Sequence, residues 1–279
     1  MSAVTVEHRA AVCGRPIAHS LSPVIHSAGF AAAGLFGWTY TTFECAEAEF
    51  PDLVRGLGPE WAGLSVTMPL KEVALALAAS ASPMATAIGA ANTLVRRPDG
   101  SWYADNTDVP GMVRVLGDAG LTAARTISVL GGGGTARAAL AAAAQLGATE
   151  VTVVTRRAQS LAELTPAADA LGLRLTGVGW ADAAAAFGAD AVISTVPKGV
   201  ADELAAAVPW RCESVLFDAI YDPWPTPLAA AAAAHGVRVA SGLDLLLAQA
   251  LGQFEQFTGV VPAPEAAMRD ALTAAAVAR

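Results

Sequence analysis

A glycine-rich turn in the middle of the chain, Gly131-Gly132-Gly133-Gly134-Thr135-Ala136, constrains the fold more than any other feature of the sequence. The turn follows an apolar run at residues 127–130 and precedes an alanine-rich segment with a helical pattern. A strand, a glycine turn and a helix N-terminus in that order form an anion site, because free backbone N–H groups and the positive helix end point at a phosphate. The turn therefore predicts that the chain binds a dinucleotide.

The spacing of the small residues in this turn supports the same prediction. Gly131, Gly133 and Ala136 match the pattern G-x-G-x-x-G/A, in which the first residue permits a tight turn, the second lets a pyrophosphate approach and the third allows close helix packing. A plain glycine-rich turn is the alternative, because the pattern alone has little specificity. We expect residues 131–136 to contact the cofactor.

The position of the turn indicates a second domain. A unit that only bound a nucleotide would place the turn near its start, whereas here 125 residues precede Thr126. A chain of 279 residues is long enough for two domains. We expect the preceding segment to carry the substrate site.

The composition argues against several other kinds of partner. The net charge is −8 and no basic block is present, which disfavours nucleic acid or an anionic membrane. No segment offers the roughly 20 consecutive strongly apolar residues of a bilayer span, and residues 1–12 lack a signal-peptide core. Cys13, Cys45 and Cys212 lie too far apart in sequence for a disulfide framework or a zinc cluster. These features predict a cytoplasmic protein with small-molecule ligands.

Strand and helix patterns alternate on both sides of the turn. Apolar runs at 126–130, 150–155, 191–196 and 214–220 predict parallel strands covered by helices on both faces, a doubly wound Rossmann domain. Strand patterns at 11–14, 39–45 and 63–67, with a hairpin around Asp99-Gly100, predict a smaller α/β domain before it. From Gly242 the pattern is helical through Phe257 and again from Pro264. Those helices could complete the second domain or cross back to the first.

The end of the second Rossmann strand indicates which dinucleotide is bound. NAD-binding proteins place an acidic residue there for the ribose 2′-hydroxyl, but this chain has Thr155-Arg156-Arg157. A carboxylate would repel a 2′-phosphate, whereas guanidinium groups donate to it and stack on adenine. The sequence therefore favours NADP, with two solvated arginines at a helix start as the alternative.

Polar residues of the first domain follow the predicted strand ends, where ligands of open α/β sheets bind. Ser20 and Ser22 precede a helical run and could reach one anionic group, although Ser22 before Pro23 also has the pattern of an N-cap. Thr67 and Lys71 follow a strand, and a lone lysine is usually solvated surface. Two further segments contain Asn92 and Asp108, and an aspartate at a helix start is ordinarily a cap.

These segments occur together and in one order, and on that basis the chain resembles the shikimate dehydrogenase family over nearly its whole length. The matching segments are Ser20-x-Ser22, V-T-x-P-x-K ending at Lys71, Ala91-Asn92-Thr93, N-T-D-x-x-G containing Asp108, the glycine turn, Tyr221 with Pro223, Thr226-Pro227-Leu228, Gly242, Gln249 and residues 254–259. Several separate motifs in matching order are far more specific than the turn alone.

The resemblance implies NADPH-dependent reduction of 3-dehydroshikimate to shikimate, within aromatic amino-acid biosynthesis. It implies a substrate-binding and catalytic domain formed by residues 1–105 with 242–279, and an NADP-binding Rossmann domain at 106–241. The C-terminal helices would then return to the N-terminal domain. The implied substrate contacts are Ser20 and Ser22 on the carboxylate with Tyr221 nearby, and Thr67, Asn92, Asp108 and Gln249 on ring hydroxyls. Thr195 and Gly242 would join Thr155, Arg156, Arg157 and the turn at the cofactor.

Lys71 and Asp108 are the catalytic pair that the resemblance implies. Hydride delivery to a ketone develops an alkoxide, which requires a positioned donor and a proton source, and a lysine ammonium supplies both. Either member of the pair could transfer the proton. Ser65 and Leu245 depart from residues common in the family, Asn and Met, as does segment 195–199. We expect tuning of substrate and nicotinamide contacts from these departures.

Other assignments stay open at this level. A quinate dehydrogenase of the same family, usually associated with NAD, is one alternative, and a catalytically silent NADP-binding regulatory module is another. Retention of both Lys71 and Asp108 favours an enzyme. His19 and His26 lack a third clustered ligand, so no metal is expected. The protein is expected to be a monomer or a homodimer.

Overall fold

A computed structural model describes residues 7–278 and contains two six-stranded sheets. Within those residues the strands are β1 His8–Gly14, β2 Trp38–Glu44, β3 Trp61–Val66, β4 Ser80–Ala81, β5 Thr93–Arg96, β6 Trp102–Asp105, β7 Thr126–Leu130, β8 Glu150–Thr155, β9 Arg174–Gly179, β10 Ala191–Ser194, β11 Val215–Asp218 and β12 Arg238–Ser241. The α-helices in the same range are α1 Ser22–Ala32, α2 Phe50–Arg55, α3 Lys71–Leu77, α4 Pro83–Ile88, α5 Asp108–Asp118, α6 Gly134–Gln145, α7 Ala158–Leu171, α8 Pro227–Ala234, α9 Gly242–Thr258 and α10 Glu265–Val277. Two 3-10 helices span Trp180–Gly188 and Asp202–Ala206.

Contacts along the backbone divide the chain into two units. The first unit comprises the chain up to Thr107 together with the segment from Gln249 onward, and the second is Asp108–Ala248. The division falls inside α9, which is one continuous helix from Gly242 to Thr258. The end of α9 and all of α10 therefore belong to the first unit, as expected of C-terminal helices that return to the N-terminal domain.

The first unit is built on a mixed sheet with the strand order β2-β1-β3-β5-β6-β4. Strands β2 and β3 run parallel to β1, whereas β5 is antiparallel to both β3 and β6. The β5–β6 pair is the expected hairpin, and Gly100 in its turn has φ +83°, a conformation that favours glycine. The core beside this sheet contains the fully buried side chains of Phe50, Leu64, Leu70 and Leu94.

The C-terminal helices pack against the first sheet and α1. Helix α10 lies against α1, and the rings of Phe30 in α1 and Phe254 in α9 are 5.6 Å apart. The ring of Phe257 occupies the space where Gly63 in β3 would carry a Cβ atom. Glycine at position 63 thus lets α9 approach the strand closely.

The second unit has an all-parallel sheet in the order β12-β11-β10-β7-β8-β9. The first strand of the unit, β7, lies in the middle, and the order reverses between β7 and β10. This is the doubly wound arrangement predicted from the sequence, because right-handed crossovers from a central strand cover both faces with helices. Its central strands are buried on both faces, as the complete burial of Val129, Val153 and Ile193 illustrates.

The sequence patterns missed strands β4, β9 and β12. Strand β4 has two residues, and β9 and β12 are the two edges of the second sheet. Most side chains of β9 are exposed, so it lacks the apolar run that marked the central strands. The predicted bounds of β7 and β8 agree with the observed ones, whereas those of β1, β2, β3, β10 and β11 differ by a few residues. Among the residues described, no helix combines the length and apolarity needed to span a membrane.

Candidate active site

Strand direction brings several predicted residues to one edge of the first sheet. Strands β1 and β3 are parallel, so the segments that follow them, with Ser20 after β1 and Thr67 after β3, leave the sheet on the same side. Strand β5 is antiparallel to β3, so Asn92, directly before β5, lies at that same edge. Strand β6 ends there too, which adds Thr107. The edge thus gathers polar residues from four chain segments.

Ser20 and Ser22 lie together at the start of α1. The Ser22 N–H donates to Ser20 Oγ at 3.3 Å, and Ser22 is only 4% exposed. The expectation that Ser22 caps the helix is wrong, because α1 begins at Ser22 itself, Leu21 occupies the N-cap position and no side-chain cap bond forms. The Ser22 side chain interacts instead with the Tyr40 hydroxyl.

Lys71 is the first residue of α3 and is half-buried. Its carbonyl oxygen accepts a hydrogen bond from the Ala91 N–H at 2.9 Å, while the Thr67 N–H donates to the carbonyl of Cys13 at 2.9 Å. Main-chain bonds therefore hold the segments that carry Thr67 and Lys71 beside the end of β1 and beside Asn92.

Asn92 is the most constrained of the predicted residues. Its side chain is buried, and its Oδ1 accepts the Thr107 N–H and the Thr93 hydroxyl, each at 2.8 Å. A main-chain N–H can only donate, so this bond fixes which end of the amide is oxygen. The Nδ2 group then faces Thr107 Oγ1 at 3.0 Å and Gln249 Oε1 at 3.5 Å. The structure therefore brings Asn92 and Gln249 together.

Three buried residues that the sequence did not single out as ligands surround this pair. Tyr40 donates to Ser65 Oγ at 2.6 Å, and Ser65 donates to Gln253 Oε1 at 2.6 Å. Ser65, which departs from the family pattern, therefore uses its hydroxyl for hydrogen bonds to two other residues of the protein, Tyr40 and Gln253. The sequence signal that could have revealed Gln253 is its spacing, since Gln249 and Gln253 lie four residues apart and therefore on one face of an apolar helix.

His26 is fully buried and lies against the same residues. Its ring stacks on Tyr40 with centroids 4.2 Å apart and an angle of 7° between the planes. Neither ring nitrogen has a hydrogen-bond partner in the structure. Burial lowers the pKa of His26 to about 3, with a smaller opposing effect from Gln253. His26 is therefore neutral at physiological pH. Residues 7–278 contain no group of three or more His, Cys, Asp or Glu arranged to bind a metal.

The glycine turn of the second unit lies between β7 and α6. Gly131 has φ +109°, and its N–H donates to the carbonyl of Val154 at 2.9 Å. Nothing lies within 4 Å of the position where Gly133 would carry a Cβ atom. Helix α6 begins at Gly134, and Ala136 in its first turn is fully buried. The turn therefore leaves open space beside a helix N-terminus, which suits a pyrophosphate.

Thr195 follows β10 and supports this turn from the neighbouring strand. Its N–H and its hydroxyl both donate to the carbonyl oxygen of Leu130 at 2.8 Å. A Cβ atom on Gly131 would lie 2.6 Å from Thr195 Oγ1. Because β7 and β10 flank the point where the strand order reverses, this contact lies where open α/β sheets bind ligands.

The segment after β8 carries the two predicted cofactor arginines. Arg156 and Arg157 are both exposed, and Arg157 precedes α7 without capping it. The Thr155 hydroxyl donates to the carbonyl of Arg157 at 3.0 Å, which holds the turn after the strand. Two guanidinium groups are thus accessible at the end of β8.

The remaining predicted residues of the second unit are Asp108, Tyr221 and Gly242. Asp108 is the first residue of α5 and is largely buried. Tyr221 follows β11 in a segment held by Asp218, whose carboxylate accepts the Thr226 hydroxyl at 2.7 Å. Burial raises the pKa of Asp218, and the Thr226 bond partly offsets it. A side chain on Gly242 would collide with the carbonyl of the segment before Tyr221.

The predicted site residues divide between the two units. The first unit carries Ser20, Ser22, Thr67, Lys71, Asn92 and Gln249. The second carries Asp108, Gly131, Gly132, Gly133, Gly134, Thr135, Ala136, Thr155, Arg156, Arg157, Thr195, Tyr221 and Gly242.

A parallel sheet of this strand order, with a glycine turn at its switch point, defines a dinucleotide-binding protein of the Rossmann type. Family models agree with this class and specify it. Residues 12–94 match the shikimate dehydrogenase substrate binding domain, and residues 242–273 match the shikimate 5′-dehydrogenase C-terminal domain. Residues 126–219 match a model described as NADP oxidoreductase, coenzyme F420-dependent.

Whole-chain relatives identify the family. The shikimate dehydrogenase (NADP(+)) of Methylobacterium radiotolerans is 40% identical over 280 residues, which cover 95% of this chain and 96% of that protein. The crystal structure of Mycobacterium tuberculosis shikimate dehydrogenase is 47% identical, with a TM-score of 0.85, and covers 96% of this chain and 99% of that one. Shikimate 5-dehydrogenase from Thermus thermophilus, solved with NADP(H) and shikimate, is 30% identical, with a TM-score of 0.81, and covers 96% of this chain and 99% of that one. The chain belongs to the shikimate dehydrogenase family.

Proposed function

We propose that this protein catalyses the reversible, NADPH-dependent reduction of 3-dehydroshikimate to shikimate. The observation that carries the proposal is the likeness, along nearly the whole chain, to the Thermus thermophilus enzyme solved with both NADP(H) and shikimate. The proposed setting is aromatic amino-acid biosynthesis in the cytoplasm. The protein is proposed to act there as a monomer or homodimer, with no nucleic-acid partner.

The first unit is proposed to bind the substrate. The net charge of −8 means that an anionic carboxylate must be captured by local donors. The hydroxyls of Ser20 and Ser22, side by side at a helix start, supply such donors. Asn92 and Gln249 present amide groups at the same sheet edge, and Thr67 adds a hydroxyl. Tyr221 and Asp108 complete the proposed substrate contacts.

The second unit is proposed to bind NADP. The open space beside Gly133 and the N-terminus of α6 fit a pyrophosphate, and the left-handed backbone at Gly131 shapes the turn around it. Exposed guanidinium groups at Arg156 and Arg157 fit a 2′-phosphate better than a free ribose hydroxyl. We assign residues 106–241 to this cofactor-binding role, and residues 1–105 with 242–279 to the substrate.

Lys71 and Asp108 are the proposed catalytic pair. The cofactor supplies or accepts a hydride when it is bound. In the reduction direction the substrate oxygen then gains negative charge. The ammonium of Lys71 stabilises that charge, and either Lys71 or Asp108 delivers the proton to the same oxygen. Lys71 is suited to this work because it is half-buried at a helix start beside the Asn92 segment.

The direct test is a turnover assay with an identified product. The purified protein is mixed with NADPH and 3-dehydroshikimate, and NADPH absorbance is followed while the product is compared with authentic shikimate by chromatography. The proposal predicts one shikimate formed for each NADPH consumed. Failure to consume NADPH, with a protein shown to be folded, would contradict it.

A further inference from the structure

Helix α9 carries a second glutamine to which the proposed function gives no role. Gln253 lies four residues after Gln249, so the two side chains leave the same face of the helix. Gln253 is only 1% exposed, and both ends of its amide are hydrogen-bonded. A buried amide that is fully bonded holds its neighbours in one arrangement.

The direction of each hydrogen bond around Gln253 follows from the main chain. Gln253 Nε2 lies 3.1 Å from the carbonyl oxygen of Asn92, which can only accept. The nitrogen must therefore be on that side, and Oε1 faces Ser65 Oγ at 2.6 Å. Ser65 consequently donates to Gln253, and Tyr40 donates to Ser65.

Gln253 acts on Asn92 twice. Its Nε2 donates to the Asn92 carbonyl and also to Thr93 Oγ1 at 3.1 Å. Since the Thr93 hydroxyl accepts from Gln253, its own hydrogen is free to point at Asn92 Oδ1, 2.8 Å away. The main chain and the side-chain oxygen of Asn92 are thus both held by Gln253, directly or through Thr93.

The opposite end of this chain of bonds reaches the start of α1. The Tyr40 ring is fixed by its stack on His26, and its hydroxyl interacts with the side chain of Ser22. Tyr40, Ser65 and Gln253 therefore link Ser22 to Asn92, and both of those residues are proposed substrate contacts. All of these residues belong to the first unit.

We propose that Gln253, backed by Ser65 and Tyr40, is a positioning residue that holds the Asn92 carboxamide in place for a hydroxyl-bearing carboxylate substrate. This inference rests on the function proposed above. A donor that is already oriented loses less freedom when the substrate binds, and a misplaced one forms a poorer bond. Loss of Gln253 should therefore weaken binding of the substrate and leave binding of the cofactor unchanged.

The test compares Gln253→Met with the wild-type protein in steady-state kinetics. Methionine is unbranched and of similar length, so it fills the same space without a strong donor or acceptor. We expect the KM for shikimate to rise about tenfold or more while the KM for NADP stays within about twofold. Circular dichroism and a thermal midpoint establish that the variant is folded.

Gln256→Met is the matched control, since it makes the same change on the same helix. Gln256 donates to Asp105 Oδ2 at 2.7 Å and makes no bond to Asn92. The control should keep the KM for shikimate within about twofold of wild type. An equal rise in the KM for shikimate in Gln253→Met and Gln256→Met would mean that loss of either glutamine on α9 has this effect, and would overturn the inference.

A second pair of variants keeps the question decidable if Gln253→Met does not fold. Tyr40→Phe retains the ring that stacks on His26 and removes only the hydroxyl, and Ser65→Ala removes the link to Gln253. Each should raise the KM for shikimate about threefold or more, with the KM for NADP unchanged. If the wild type oxidises shikimate and the folded variants have an unchanged KM for shikimate, the proposed role of Gln253 is overturned. A wild type without that activity would instead overturn the proposed function, and the inference with it.

Discussion

The Thr195 hydroxyl donates to the carbonyl oxygen of Leu130 at 2.8 Å and lies only 2.6 Å from the position that a Cβ atom on Gly131 would take. One contact thus joins strand β10 to the glycine turn after β7. Glycine is required at position 131 for two separate reasons, its left-handed φ and the closeness of Thr195. Gly133 has neither requirement for folding, since its φ is −91° and the space around it is open.

Alanine substitutions at these two glycines should therefore change different properties of the protein, its stability and its binding of NADPH. Gly131→Ala should lower the free energy of unfolding by about 1–3 kcal/mol, because alanine is strained at this φ and collides with Thr195. Gly133→Ala should leave stability within about 0.5 kcal/mol but weaken NADPH binding, because its methyl group occupies the pyrophosphate path. Urea unfolding and a fluorescence titration measure the two quantities. If Gly133→Ala bound NADPH as tightly as wild type, the assignment of the turn to the pyrophosphate would be wrong.

Cofactor choice should depend on the arginines after β8. Replacing Arg156 and Arg157 by Asp and Ala should weaken NADPH binding by about tenfold or more, that is about 1.4 kcal/mol, and NADH binding far less. Binding titrations with both cofactors test this. Arg174→Ala is the control, since Arg174 is an exposed arginine of the same unit that pairs with Glu150. Equal losses for the two cofactors would contradict a 2′-phosphate site at this turn.

Removal of the Lys71 ammonium should abolish most of the turnover. Lys71→Ala should lower kcat by about 10²–10⁴-fold, the range for loss of a general acid, with little change in NADPH affinity. Arg55→Ala is the control, because it removes an exposed cation of the same unit that pairs with Asp52, and it should change kcat by less than about threefold. Steady-state rates with shikimate and a separate NADPH titration separate the two effects. Retained turnover in Lys71→Ala would remove this residue from the mechanism.

Burial of His26 should make the fold sensitive to mild acid. The pKa of His26 is lowered to about 3 in the folded protein, so below its ordinary value near 6.5 the unfolded chain binds the extra proton. Stability is therefore lost as the pH falls from about 6.5 towards 3, by about 2 kcal/mol between pH 7.5 and pH 5. Urea unfolding at these two pH values should show this loss in wild type and about 2 kcal/mol less loss in His26→Phe. The same pH dependence of the unfolding free energy in both proteins would show that His26 does not cause the loss of stability in acid.

The sequence predicted best those features that local geometry determines. The glycine turn requires particular residues at fixed spacing, so Gly131, Gly133 and Ala136 could be recognised and assigned to the strand, turn and helix that the structure contains. The central parallel strands were recognised for a similar reason, since burial on both faces imposes continuous apolar runs. Edge strands β9 and β12 carry no such requirement and were missed.

The features that were missed depend on residues far apart in sequence. Ser65 and Gln253 are 188 positions apart, and no local pattern indicates that one hydroxyl would bond to the other's amide. The N-cap pattern at Ser22 was misleading, because α1 begins at Ser22 itself and Leu21 occupies the N-cap position.

The most direct test of the proposed function is a set of four steady-state measurements, shikimate and quinate each with NADP and with NAD. The proposed function predicts that shikimate with NADP gives the highest kcat/KM, exceeding each of the other three by about tenfold or more. A higher kcat/KM for quinate with NAD would identify the related quinate activity instead. Oxidation of neither compound by the folded protein would contradict the enzymatic account as a whole.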